Sequence, residues 1–171
     1  MNFIQQAFKG NNEWYHWVLT IILIFFGWQV LGIIPLMMAA AAKSKNTAQF
    51  MEAAQDNFMS MGINSNLFLS LMILMFFLGL VFLCIGVKFI HKRTITSLIT
   101  SRKEIDWERF RLGFLSWGFL ATIMIIIGIL VAPENYTWNF NTVPFFTLVA
   151  ISFLFLPFQT SFEELLFRGY F

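Results

Sequence analysis

Residues Leu67–Ile90 read LFLSLMILMFFLGLVFLCIGVKFI, with no charged side chain before Lys88. As a helix this run extends roughly 36 Å at 1.5 Å per residue, enough to cross a hydrocarbon core of about 30 Å. Three further stretches meet the same requirement: Trp17–Met38, Leu112–Ala132, and a fourth that starts at Val143 and ends near Phe162 or continues to the end of the chain. Composition agrees. The sequence is 58% hydrophobic and 12% charged, about half the charge share of a soluble domain, and 23 of its 171 residues are Phe. These features predict an all-α fold: a polytopic transmembrane bundle of four spans (17–38, 67–90, 112–132, and 143–162 or beyond) in one membrane domain over residues 1–171, with the lipid bilayer as its first partner. A net charge of +2 without a basic, aromatic-interleaved stripe speaks against a nucleic-acid partner.

Gly27, Gly32, Gly79, Gly86 and Gly128 fall inside spans, where small residues allow helices to approach closely. Cys84, the single cysteine, reads as a small buried hydrophobe. Ala39–Ala42 resembles a signal-peptide cleavage site. The apolar run before it is too long for one, and the preceding tail has only Lys9 as a cation, so a retained first helix is expected.

Charge asymmetry orients the bundle. Lys88–Arg111 carries Lys88, Lys92, Arg93, Arg102, Lys103, Arg109 and Arg111, whereas Ala39–Asn66 offers Lys43 and Lys45, and 133–142 has no cation. The positive-inside rule therefore places the basic loop, the N-terminus and the inner end of the fourth span in the cytoplasm, in a protein of the cell membrane. Residues 39–66 would lie outside, with Phe50, Ala54, Phe58 and Met61 at helical spacing for an interfacial helix. In the basic loop, Asp106 is placed to cap the third helix, with Ile105 and Phe110 spaced as a staple. His16, among Trp14, Tyr15 and Trp17, reads as interfacial. His91 reads as part of a His-Lys-Arg anchor.

The fourth span runs into EELLFRGYF, Glu163–Phe171. Residues four apart share a helix face, so Glu164 can pair with Arg168 and leave Glu163, about 100° round the helix, available. Adjacent carboxylates in low dielectric push their proton affinities apart, a property that suits a base acting on water. An ionisable cluster at the end of a span is a functional candidate. Two structural readings compete: in one the span simply ends here; in the other Pro157 breaks it, with Ser161 and Glu164 forming a capping box for a new helix.

The stretch Glu163–Arg168, preceded by an aromatic-rich span and followed by Gly-Tyr, resembles the E-E-x-x-x-R signature of the CPBP intramembrane endopeptidases, the CAAX prenyl protease and bacteriocin-processing type. The Trp-containing basic stretch 91–114 resembles the loop that bacterial members carry before a helix leading to the motif. The resemblance implies intramembrane peptide-bond hydrolysis of a membrane-associated peptide or protein at the cytoplasmic face. It makes Glu163 the residue that activates water, directly or with a metal such as zinc, Glu164 a shaper of the site, and Arg168 the orienter of the acidic pair. It also implies that Arg168→Ala weakens folding as well as activity by leaving a buried carboxylate unpaired. The family pattern continues with F-x-x-x-H and H-x-x-x-N or H-x-x-x-D, which neither His16 nor His91 fits. Residues 1–171 are therefore expected to be the N-terminal part of a longer protease domain, truncated and inactive alone, with the motif region over roughly 143–171. Two other classes remain: a non-catalytic, immunity-like four-helix membrane partner, and an ion- or proton-coupled transporter component.

Overall fold

The computed structural model describes residues 10–100, 102 and 104–170, so Lys9, Lys103 and Phe171 lie outside it. Its order is α1 (Trp14–Lys43), α2 (Thr47–Gln55), α3 (Ser65–Ile90), α4 (Thr96–Ile99), α5 (Trp107–Val131) and α6 (Thr142–Tyr170). No strand occurs among the described residues. Helices α1, α3, α5 and α6 are each long and apolar enough to cross a membrane, as the all-α, four-span reading requires. Each span runs beyond its sequence-derived bounds on at least one side, because the helical backbone continues into residues too polar for the apolar criterion.

The bundle core is α1, α3 and α6. Ile24, Leu83, Val87, Leu98, Phe162, Leu166 and Tyr170 form its buried cluster, with Trp17 and Trp28 packed against it. Close approach depends on glycines within the spans. A methyl group on Gly79 would sit 2.8 Å from the Phe162 ring, one on Gly32 would sit 2.9 Å from the Met75 backbone, and Gly86 faces Thr20. In a bilayer such contacts replace the hydrophobic drive that water supplies elsewhere. Among the described residues, helical turns are π-widened at Phe26–Leu31, Gly86–Ile90 and Leu165–Tyr170. Cys84 is half-buried rather than buried.

At one end, the segment after α1 folds back. Leu36, Ala40, Ala53, Phe58 and Met61 form a second cluster, and Lys43 Nζ donates to the Gly62 carbonyl. The Ala39–Ala42 run is thus the last part of α1, with Ala40 fully buried. Helix α2 is capped by Asn46, whose side chain accepts from the Gln49 N–H at 2.8 Å. The inward residue of α2 is Ala53, not Ala54, because the chain leaves the helix at Gln55 and Phe58 adopts a left-handed conformation (φ 66°) that breaks the anticipated period.

Helix α5 stands apart. None of its residues is buried, and an added methyl at Gly113 or Gly118 would meet nothing within 4 Å. Its start is well defined: Asp106 accepts from the Arg109 N–H at 3.1 Å and pairs with the Arg102 and Arg109 guanidiniums. The Arg109 N–H first, and then the two arginines, hold the Asp106 carboxyl below its ordinary value of 3.8. Asp106→Ala is expected to expose the Arg109 amide, giving roughly fivefold faster hydrogen exchange there, while Asp106→Asn keeps most of the protection. Unchanged exchange in the Ala variant would mean that the cap contributes nothing.

Candidate functional site

Helix α6 carries the acidic motif without interruption. Pro157 lies inside the α-helical part, Thr142–Glu164, which continues directly into the widened turn Leu165–Tyr170. The anticipated break at Pro157 and new cap at Ser161 are not formed. A membrane helix accommodates a proline because nearby side chains and local adjustment satisfy the freed backbone groups.

The end of α6 has two faces. Phe162, Leu166 and Tyr170 are buried against α1, α3 and α4, whereas Glu163, Glu164, Phe167 and Arg168 are exposed on the other side. The i→i+5 pattern of a π-turn widens the helix and brings residues four apart closer to alignment. This lets Tyr170 follow Leu166 inward while Arg168 follows Glu164 outward. Arg168 is ion-paired with Glu164, and Glu163 has only a long hydrogen bond, 3.4 Å, from Gln159 Nε2.

A cleft of about 1100 Å³ opens beside this face, between Arg109, Phe110, Phe114 and Trp117 of α5 and Glu164 and Arg168 of α6. The structure therefore brings Glu164 and Arg168 together as the i,i+4 spacing predicts and leaves Glu163 next to them but outside the pair. The Glu164 side chain is 55% exposed, so among the described residues Arg168 has no buried carboxylate to compensate, and the folding penalty expected of Arg168→Ala in a full-length protein gains no support from this arrangement.

The anchor reading of His91 and Arg93 is overturned. Both are buried, at 0% and 5% exposure, because the chain before α1 and the end of α6 close over the last turn of α3. His91 Nδ1 lies 2.9 Å from the Asn11 carbonyl, and His91 Nε2 lies 3.0 Å from Tyr170 Oη. A carbonyl only accepts, so Nδ1 carries the proton and Nε2 accepts from the tyrosine hydroxyl. Asn11 also caps α3: its N–H donates to the His91 carbonyl at 2.9 Å, and its side-chain amide donates to the Ile90 carbonyl at 3.2 Å. The Trp17 ring completes the pocket, 4.8 Å from both His91 and Tyr170. His16 is half-buried, with its ring 6.2 Å from that of His91.

Sequence reasoning missed this cluster. Asn11 and Tyr170 stand 80 and 79 residues from His91, and beside Lys92 and Arg93 a histidine reads as a charged anchor.

Among the described residues, no group of three or more His, Cys, Asp or Glu side chains is placed to hold a metal ion. Both nitrogens of His91 are engaged on the buried side of the bundle, opposite Glu163. The donor set of this chain does not by itself fit the zinc that the family resemblance allows.

Comparison with known proteins adds little about chemistry. No family model and no solved structure matches the chain. Over 175 aligned residues it is 30% identical to a Bacillus subtilis (strain 168) protein described as "Uncharacterized protein YyaK". The alignment takes in 99% of this chain but 56% of that relative, so the chain spans little more than half the relative's length.

Proposed function

We propose that this chain supplies the first catalytic motif of a CPBP-type intramembrane endopeptidase. The observation that carries the reading is the division of labour on α6: Arg168 engages Glu164, these two line the α5–α6 cleft, and Glu163 stays exposed outside that pair, next to Glu164 in the chain. A carboxylate not committed to a guanidinium can accept a proton from water, and the hydroxide formed attacks the carbonyl carbon of a peptide bond. The C–N bond then breaks as the amine leaves with that proton, giving a carboxylic acid and an amine. Glu164 and Arg168 fix the geometry of the acidic pair. The apolar wall of Phe110, Phe114 and Trp117 suits a substrate segment that arrives along the membrane, and the basic residues around α4 and the start of α5 favour the cytoplasmic side for this end.

The histidine-bearing motifs that the resemblance calls for are not in this chain, so activity is proposed for a protein that carries both halves. The greater length of the Bacillus relative is compatible with such a second half. No step is assigned to zinc.

The test is to compare protein termini in membranes of cells with and without the natural protein, by mass spectrometry. New C-termini in membrane-associated proteins are expected only when it is present. Identical profiles under all growth conditions tried would reject the peptidase reading and leave the membrane-partner class.

A further inference from the structure

We infer that Tyr170 and His91 are positioning residues that set the direction in which the Glu163–Arg168 face points. The inference uses the reading of that face as the site, but its geometry stands independently. Tyr170 is the second residue after Arg168, is 2% exposed, and is the last inward-facing side chain of α6. Its hydroxyl meets His91 at the end of α3 and lies 3.5 Å from the Trp17 carbonyl of α1. Gly169, between Arg168 and Tyr170, lies against the Leu98 carbonyl of α4. Three elements therefore grip α6 within two residues of Arg168, all from the side opposite the cleft. Among the described residues, Glu163, Glu164 and Arg168 make no hydrogen bond or ion pair with any of the three, so a rotation of the α6 end would swing them relative to α5. The hydroxyl–imidazole bond supplies a directional restraint that apolar packing of Phe162 and Leu166 lacks.

The grip favours a neutral imidazole. With Nδ1–H given to Asn11, Nε2 accepts from the Tyr170 hydroxyl; an imidazolium would reverse that bond, Nε2–H donating to the tyrosine oxygen, but would set a charge in a buried pocket beside Arg93. The titratable groups set against His91 are His16 of α1, Arg93 just past α3 and Tyr170 of α6. Burial first, and then Arg93 and His16, outweigh the Asn11 carbonyl and hold the imidazole below its ordinary value of 6.5. A histidine lowered in the folded state adds stability that is complete above that value and declines as pH falls below it. The grip is thus closed at neutral pH and weakened by acid.

The test uses the natural full-length protein in liposomes, with Cys84→Ala and Phe167→Cys carrying a spin label on the exposed face beside Glu163. The expected spectrum is immobilised at pH 7.5 and gains a mobile component towards pH 5. Tyr170→Phe, which removes one oxygen, is expected to be mobile at both pH values. His91→Gln keeps an uncharged acceptor and is expected to remain immobilised at both, a rescue that mere filling of space by His91→Leu does not give. Parent-like spectra for Tyr170→Phe at both pH values overturn the inference. So does loss of immobilisation in His91→Gln equal to that in His91→Leu. Because the readout is not proteolysis, failure of the peptidase reading leaves the result interpretable, and the reverse holds as well.

Discussion

Glu163→Gln is expected to abolish proteolysis by the full natural protein, by at least about 10²–10⁴-fold, while its amount in the membrane stays unchanged. The amide preserves the shape and the contact with Gln159 but cannot take a proton from water. Glu163 is exposed and contributes no core packing, so no loss of folding accompanies the change. Glu164→Gln tests the other half of the assignment. It removes the Arg168 ion pair without removing the base, so activity should fall less steeply than in Glu163→Gln. Quantifying the protein-dependent C-termini for both variants, alongside membrane abundance, separates the two roles. Undiminished cleavage by Glu163→Gln would remove this residue from the chemistry. Equal loss in both variants would mean that the carboxylates act as one unit.

The second large effect is predicted at Gly169. A methyl group there would stand 2.6 Å from the Leu98 carbonyl oxygen and 3.4 Å from its carbon. The obstacle is backbone, which cannot swing aside as a side chain can, so α4 and the end of α6 must separate. Overpacking of this kind costs roughly 1–3 kcal/mol. It should also pull Tyr170 away from His91. Gly113→Ala is the control: its added methyl meets nothing, and alanine is the better helix former by up to about 1 kcal/mol. Thermal unfolding in one detergent should show Gly169→Ala destabilised and Gly113→Ala unchanged or stabilised. Equal midpoints for the two would mean that α4 does not rest on α6 as described.

Much of the architecture is legible without coordinates. Uninterrupted apolar runs such as Leu67–Val87 can be satisfied only in lipid or in a core, and their length selects lipid. Gly27, Gly32, Gly79 and Gly86 read correctly as contact points, whereas Gly128 meets only the Tyr136 hydroxyl of the next loop, and Asp106 reads as a cap because the cap bond is local, three residues long. Boundaries were less legible. Ala39–Ala42 and Glu163–Tyr170 continue their helices, although their polarity or small size drops them from a hydropathy run. Pro157 looked like a break and is none. The Glu164–Arg168 pair was readable from spacing alone, whereas its exposure depended on where α5 lies.

By itself, then, the sequence determined the class of fold, the number of spans and the adjacency of the acidic residues to Arg168. These follow from composition and from neighbours within one helical turn, where chain connectivity dictates distance. Only the tertiary structure decided that His91 and Arg93 are buried, that Tyr170 closes on His91, and that Glu163 is exposed while Glu164 and Arg168 line a cleft. Those facts require segments some 80 residues apart to meet. Which distant segments meet is set by the packing of whole helices, through contacts such as Gly79 on Phe162 and Gly169 on Leu98, and no local pattern of residues encodes it.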